Sequence, residues 1–181
     1  MNQTKNNTKM LAVGGIMIAL SMVLSFIKIY RMPQGGSVTA ASMVPVIMFS
    51  LVYGAKPGLF AALIYGVLKF ISGGGISIHP MSILLDYILA FGSLGLAGIV
   101  TRGEKSLTKA IIGTILAVFM RFLFLYIAGV IVWGSYAPEG IPAWLHSLTY
   151  NASYMIPELI VTLVVVVILY DRIYKAMKKN Y

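Results

Sequence analysis

The chain has 181 residues, of which 59% are hydrophobic and only 10% are charged. This composition excludes an ordinary soluble domain and predicts an integral membrane protein with several spans in a lipid bilayer. The sequence contains no cysteine, which excludes a disulfide framework and thiol chemistry. The net charge of +9 is divided among short basic segments between apolar runs, so it indicates membrane topology and no nucleic-acid partner.

The apolar runs predict an all-α bundle of six transmembrane helices in a single domain. The expected spans are residues 10–29, 39–53, 59–71, 81–100, 110–133 and 147–170. The second span is short and has Pro45 near its start. Such interrupted segments are common beside binding sites in transporters, and they also occur in helices that are merely tilted or kinked.

The first span carries a pair of small residues four positions apart, Gly15 and Ala19, which allows close contact with another helix. Gly14 is expected to widen the same patch. Both docking of a partner protein and packing within the chain are consistent with this pattern.

The fourth span contains a carboxylate, Asp86, in a run that has no other charged residue. A charge at membrane depth costs roughly 3 kcal/mol on insertion scales, so it usually faces a cavity, a partner or a ligand. Helical spacing predicts a polar stripe and a smooth glycine face on this helix. The stripe is Ser82, Asp86 and Ser93 around Ala90, and the smooth face is Gly92, Gly95 and Gly98. Asp86 either joins helices by pairing with a buried cation or binds a cationic ligand, and we favour the ligand.

The last two spans add further polar groups. Arg121 is a second charge at membrane depth, about 18 Å before Trp133 along a helix. Trp133 is expected either to contact a ligand or to anchor the protein at the membrane interface. The sixth span carries a polar stripe of Ser147, Asn151, Tyr154 and Glu158.

Catalytic and metal-binding patterns are not evident. No nucleophile with a neighbouring base and no nucleotide-binding loop can be recognised, so neither an enzyme nor a cofactor is expected. His79 and His146 lie in different loops without the spacing of metal ligands, so no metal site is expected either.

The basic residues predict the orientation of the protein. Ten of them fall in the two termini and in the loops that share their side: Lys5, Lys9, Lys56, Arg102, Lys105, Lys109, Arg172, Lys175, Lys178 and Lys179. By the positive-inside rule, both termini are expected in the cytoplasm of a multi-pass cell-membrane protein. The outer half then gathers the candidate ligand-binding residues Tyr65, Asp86, Tyr87, Trp133, His146, Asn151 and Tyr154. A carboxylate, several aromatic rings and an amide suit a flat, cationic, nitrogen-rich molecule.

Three stretches carry a resemblance to a known family: MPQGGSV at 32–38, HPMSILLDYILAF at 79–91 and GSYAPEGIPAWLHSLTYNASYM at 134–155. They resemble the thiamine-specific substrate-binding subunits, or S-components, of energy-coupling factor (ECF) transporters. The resemblance implies six helices, an outward pocket for thiamine, and a partner module of one transmembrane coupling subunit and two ATPases. It implies that Asp86, before Tyr87, is the acidic site residue, that Trp133 stacks on the ligand and that Asn151 binds its pyrimidine. Gly15 and Ala19 resemble the patch that docks on the partner.

The chain departs from the family pattern at four positions. Leu125 stands where the family has a histidine, Tyr65 where some members have tryptophan, and His146 where some have tyrosine. An acidic residue early in the second span is absent, at or near Ala40.

Two other transport functions compete with high-affinity thiamine binding. One is an S-component for another vitamin or a thiamine precursor. The other is a stand-alone proton-coupled transporter, in which Asp86, Arg121 and Glu158 form a proton relay.

Overall fold

The computed structural model describes residues 2–73 and 79–178. Six helices dominate this part of the chain: α1 (Asn2–Phe26), α2 (Val44–Tyr53), α3 (Ala55–Ser72), α4 (Pro80–Thr101), α5 (Leu107–Ile131) and α6 (Ala143–Lys178). All except α2 are long and apolar enough to cross a membrane. The predicted all-α membrane fold is therefore confirmed.

The short helix α2 lies at the centre of the bundle. It has 10 residues, all buried from Val44 to Val52, and it packs against α1, α3, α4 and α6. A helix of this length rises about 15 Å, roughly half the thickness of the hydrocarbon core. The other half of the bundle at this position is therefore occupied by non-helical backbone.

That backbone is a β-hairpin of β1 (Lys28–Arg31) and β2 (Ser37–Thr39), which pair antiparallel. The predicted end of the first span and the predicted start of the second span are both wrong. Helix α1 ends at Phe26 and not at residue 29, and α2 begins at Val44 and not at residue 39. The hairpin satisfies its own backbone groups: the Met32 amide donates to the Gly36 carbonyl over 2.7 Å, and the Ala40 amide to the Ile27 carbonyl over 3.0 Å. Such pairing is required of irregular backbone at membrane depth.

The glycine face of α4 permits close helix contacts, as its spacing predicts. A side chain at Gly95 would collide with the backbone of Leu59 in α3, and one at Gly98 with the carbonyl oxygen of Ser50 in α2. The Ser50 hydroxyl donates to the Gly95 carbonyl over 2.6 Å and accepts from the Gly98 amide over 2.9 Å. Helix α4 is thereby fixed against the centre of the bundle.

The predicted polar stripe on α4 is only partly present. Ile83–Leu89 is π-helical and Ser93–Leu96 is a 3₁₀ segment, so the spacing of a uniform α-helix does not hold. The Ser93 hydroxyl donates to the Ala90 carbonyl over 2.8 Å and lies 3.3 Å from the Ala117 carbonyl in α5. Ser93 thus joins two helices, while Asp86 lies in the π-helical segment, a form that often occurs at functional sites.

The end of the bundle opposite the hairpin is held by contacts between the α4–α5 turn and the end of α6. The Tyr174 hydroxyl donates to the Gly103 carbonyl over 2.8 Å, and Lys105 forms an ion pair with Asp171. Most of the basic residues lie at this end. The hairpin and the start of α4 lie at the other end, where the bundle opens.

Candidate functional site

A cavity of about 570 Å³ lies at the hairpin end, between the hairpin, α4, α5 and α6. Six of the seven predicted ligand-binding residues line it: Asp86, Tyr87, Trp133, His146, Asn151 and Tyr154. The volume is in the range of small-molecule sites, and the lining combines aromatic rings with a few polar groups.

One oxygen of the Asp86 carboxylate is held by two hydrogen bonds. Its Oδ2 accepts hydrogen bonds from the Ser82 hydroxyl over 2.7 Å and from the Trp133 indole Nε1 over 3.0 Å. Both bonds fix the carboxylate, and they leave Oδ1 as the acceptor that is available to a ligand. The Ser82–Asp86 contact agrees with the predicted spacing of four residues.

The Asp86–Trp133 hydrogen bond links α4 to the chain just after α5. Trp133 follows the end of α5 and precedes a 3₁₀ turn, Gly134–Tyr136, whose tyrosine ring lies edge-on at 5.8 Å from the indole. Sequence analysis treated Asp86 and Trp133 as separate members of one site. In the structure they form one unit, in which the carboxylate orients the indole.

The side chain of Asn151 forms hydrogen bonds with other residues of α6. Its Oδ1 accepts from the Tyr154 hydroxyl over 2.6 Å, and its Nδ2 donates to the Ser147 carbonyl over 2.9 Å. Gly129 of α5 makes this arrangement possible, since a side chain there would collide with the Ser147 hydroxyl and crowd the Asn151 amide. Asn151 therefore presents less free hydrogen-bonding capacity to a ligand than its sequence position suggested.

The hairpin lines the cavity and is tied to α6 by several side-chain contacts. The Gly36 amide donates to the Tyr150 hydroxyl over 3.1 Å, and the His146 Nε2 lies 3.4 Å from the Gln34 Oε1. Sequence reasoning missed Tyr150, although His146, Tyr150 and Tyr154 recur every four residues and so share one helix face. It also missed Gln34, whose role depends on a hairpin that hydropathy did not indicate.

A buried carboxylate also ties the hairpin to α6. The Glu158 Oε2 accepts from the Thr39 amide over 2.7 Å, and its Oε1 from the Thr39 hydroxyl over 2.6 Å. Glu158 is only 4% exposed. In the described part of the chain the ion pairs are Lys105–Asp171, Lys109–Glu104 and Lys175–Asp171, so Arg121 forms no ion pair with Glu158.

Cations outnumber the single carboxylate around the cavity. Lys28, Lys69 and Arg121 line it together with Asp86, the one acidic residue among the described lining residues. Lys69 donates to the Ser25 hydroxyl over 3.1 Å. Asp86 is thus the lining group that can attract a cation.

Tyr65, the seventh residue predicted to contact the ligand, is not among the residues that line the cavity. It is fully buried, its hydroxyl lies 3.4 Å from the Ser21 carbonyl, and its ring meets the edge of Phe91 at 5.0 Å. Phe91 lines the cavity, so Tyr65 supports the wall from behind. Tyr65 is buried because it lies on the inward-packing face of α3, whose other buried residues are small: Gly58, Ala61, Ala62 and Gly66.

Gly15 and Ala19 are exposed on the outside of α1, and no atom lies within 4 Å of a side chain placed at Gly15. Gly14 does not widen this patch, because it is buried and packs against the Phe49 ring. Packing within the described chain therefore does not account for Gly15. Groups of three or more potential metal ligands do not occur among residues 2–73 and 79–178.

Comparison with known proteins identifies the family. The thiamine transporter protein family Thia_YuaJ matches residues 11–178. The chain is 34% identical to thiamine transporter ThiT of Bacillus subtilis, covering 99% of both proteins. It is 30% identical to thiamine transporter ThiT of Lacticaseibacillus paracasei, covering 85% of this chain and 83% of that protein.

Solved structures share the fold. ThiT from Listeria monocytogenes superposes with a TM-score of 0.79 at 28% identity, covering 91% of this chain and 96% of that one. The S component of a bacterial ECF transporter superposes with a TM-score of 0.59 at 22% identity, over 96% and 97% of the two chains, which is a likeness of fold. The match over residues 11–178 and the identity to full-length relatives, together with five membrane-length helices, show that this multi-pass membrane protein belongs to the thiamine transporter (Thia_YuaJ) family.

Proposed function

We propose that this chain binds thiamine with high affinity and acts as the substrate-binding subunit of an ECF-type transporter, without catalytic activity or a cofactor of its own. The observation that carries the proposal is Asp86, which presents a fixed carboxylate to an aromatic cavity of about 570 Å³. Thiamine joins a permanently cationic thiazolium ring to an aminopyrimidine, so it needs an anionic partner once water is removed.

The aromatic groups around Asp86 suit the flat rings of this ligand. Trp133, Tyr136 and Tyr87 all line the cavity. A cation near an aromatic face is attracted by the ring quadrupole, and tryptophan is the best of these faces. Stacking on Trp133 together with charge neutralisation by Asp86 would favour a planar cation over a neutral ring.

The proposed partner is a module of one transmembrane coupling subunit and two ATPases. Two features support it: the family resemblance, and the exposed Gly15–Ala19 patch on α1, which offers a smooth surface to another helix. Energy for transport would then come from other chains, which agrees with the lack of a nucleotide-binding motif in the sequence.

We propose an orientation with both termini in the cytoplasm and the cavity facing outward. The loops and helix ends opposite the cavity carry most of the Lys and Arg residues. The positive-inside rule favours that end on the cytoplasmic side. Capture from outside the cell follows from this orientation.

The decisive test is calorimetric titration of the purified protein with thiamine. Thiamine should bind tightly, and an analogue with a neutral thiazole ring should bind at least tenfold more weakly because Asp86 has no cation to neutralise. A parent protein that does not bind thiamine, or that prefers another vitamin or a thiamine precursor in competition, would refute the assignment of the ligand.

The stand-alone proton-coupled alternative is tested by uptake into vesicles. A proton gradient alone should not drive thiamine uptake by the purified chain, whereas addition of the complete partner module and ATP should. The contacts also weigh against a relay, because both oxygens of Glu158 are bonded to Thr39.

A further inference from the structure

Two lysines line the cavity and have no role in the thiamine-binding proposal. Lys28 begins β1 and is exposed, whereas Lys69 lies in the last turn of α3 and is half-buried. Both lie beside the end of α1. Lys28 follows Phe26 by two residues, and the Lys69 ammonium donates to the Ser25 hydroxyl over 3.1 Å and lies 5.9 Å from the centre of the Phe26 ring. The hairpin and α3 thus bring two ammonium groups to one part of the cavity wall.

Neither lysine is paired with a carboxylate in the described part of the chain, whose three ion pairs lie at the opposite end of the bundle. The charges that act on Lys69 are those of Arg121 and Lys28, and both are positive. An ammonium carries three N–H donors, and Ser25 accepts from one of those of Lys69. Within residues 2–73 and 79–178, donors of both lysines are therefore left for an anionic group.

The charge around the cavity favours a ligand that carries such a group. Three cations and one carboxylate are among the described lining residues, so positive charge is in excess. Thiamine alone would add a further cation. A phosphate ester on the hydroxyethyl arm of its thiazolium ring adds about two negative charges at neutral pH, which turns repulsion by the lysines into attraction.

Contacts between the cavity walls place the lysines near the part of the site that is expected to bind the cationic ring. Tyr87 follows Asp86 in α4, and its ring meets the Phe70 ring of α3 edge-on, with the ring centres 5.3 Å apart. Phe70 is the residue after Lys69. A lysine side chain is a flexible four-carbon stem, so its ammonium can reach a group that projects from a ring bound at Asp86.

We propose that Lys28 and Lys69 form an anion subsite that binds a phosphate ester on the hydroxyethyl arm, so that this protein binds thiamine monophosphate more tightly than thiamine. The proposal rests on the proposed function, because the thiazolium ring must first lie at Asp86. The two lysines would contact the phosphate and not the rings. They would therefore set the preference between thiamine and its phosphate ester.

The test is calorimetric titration of the purified protein in phosphate-free buffer with thiamine, thiamine monophosphate and O-acetylthiamine. The acetyl ester extends the same arm without adding a charge. The parent protein should bind the monophosphate on the order of 10-fold or more tightly than the acetyl ester, because only the phosphate accepts charge-assisted hydrogen bonds. It should also bind the monophosphate more tightly than thiamine.

Substitution of both lysines should change two affinities in opposite directions. Lys28→Gln/Lys69→Gln should bind the monophosphate on the order of 10-fold more weakly than the parent does. The same variant should bind thiamine roughly twofold or more tightly, because charges that repel the cation are removed. A gain in thiamine affinity also reports that the site is folded.

Three further variants separate charge from structure. Lys28→Gln alone changes an exposed side chain, so it should shift both affinities in the same directions by a smaller factor. Lys28→Arg/Lys69→Arg keeps both charges and should keep the preference for the phosphate ester. Lys56→Gln is the matched control, since Lys56 is exposed at the opposite end of α3, and it should change no affinity.

Four results would overturn the proposal. Equal binding of the monophosphate and the acetyl ester by the parent would show that the phosphate is not recognised. Tighter binding of thiamine than of the monophosphate would contradict the stated preference. Equal losses for all three ligands in the glutamine variants would assign the lysines a structural role. A thiamine affinity that rises with added inorganic phosphate to that of the monophosphate would indicate a separate anion in place of an ester. Failure of the parent to bind any of the three ligands would instead refute the proposed function.

Discussion

The negative charge of Asp86 is expected to determine the affinity for a cationic ligand. Asp86→Asn preserves the size of the side chain and can keep an oxygen toward Ser82 and Trp133, which donate to Oδ2 over 2.7 and 3.0 Å. The amide nitrogen would then occupy the place of Oδ1 and turn its donors toward the ligand. The cavity would also lose its one described acidic lining residue, while Lys28, Lys69 and Arg121 remain.

The size of the effect follows from breaking a buried charge pair. Removing one partner costs about 2–5 kcal/mol, since the other charge stays buried without a counter-ion. The affinity for thiamine should therefore fall on the order of 30-fold or more. Asp86→Glu keeps the charge but moves it by one methylene, so it should lose less.

Calorimetric titration of the parent, Asp86→Asn and Asp86→Glu with thiamine measures this directly. Glu139→Gln is the matched control, because Glu139 is exposed in the loop before α6 and does not line the cavity. Near-equal affinities of Asp86→Asn and the parent would refute the reasoning, and would mean that Asp86 only positions Trp133 and α4.

Four further predictions concern the indole, the α5–α6 contact, the docking patch and the orientation. Thiamine should quench the intrinsic tryptophan fluorescence, and Trp133→Phe should remove most of this quench. An equal quench in the parent and in Trp133→Phe would indicate that Trp133 only anchors the protein at the membrane interface. Gly129→Val should weaken thiamine binding by about 5- to 150-fold, because overpacking costs about 1–3 kcal/mol where α5 touches α6. Full affinity in this variant would show that α5 and α6 can separate freely. Gly15→Leu should leave binding unchanged, since nothing lies within 4 Å, yet abolish ATP-driven uptake; normal uptake would exclude docking there. Single cysteines introduced at Glu139 and Lys56 should react with an impermeant thiol reagent from outside only at Glu139, and the reverse result would invert the orientation.

Local sequence properties were sufficient for the bundle and for much of the cavity lining. A charged residue in an apolar run must face a cavity or a partner, and this placed Asp86 in the site without knowledge of the fold. The spacing of Gly92, Gly95 and Gly98 predicted a close helix contact because small residues are what let helix backbones approach in a membrane.

Contacts between distant segments escaped the sequence analysis. Only the edges of the hairpin continue the neighbouring apolar runs, through Ile27 and Ile29 on one side and Val38 on the other, so hydropathy extended the two helices to Ile29 and back to Thr39. Only pairing of β1 with β2 and the bonds from Thr39 to Glu158 show why the chain leaves the helical conformation there. The position of Tyr65 behind Phe91 could not be predicted for a similar reason, because the sequence gives the depth of a side chain along its helix but not the neighbour that covers it.

The sequence by itself determined a six-helix membrane protein with one carboxylate among aromatic residues at one end, because hydropathy, charge and helical period are properties of single segments. The tertiary structure decided which contacts each of those groups makes. A hydrogen bond from the chain after α5 holds one oxygen of Asp86 at Trp133, and hydrogen bonds inside α6 engage Asn151. The buried Nε and Nη1 of Arg121 have no hydrogen-bond partner among the described residues. The contact of Asp86 with Trp133 and the surroundings of Arg121 depend on distances between residues far apart in the chain, and such distances are set only when the helices pack.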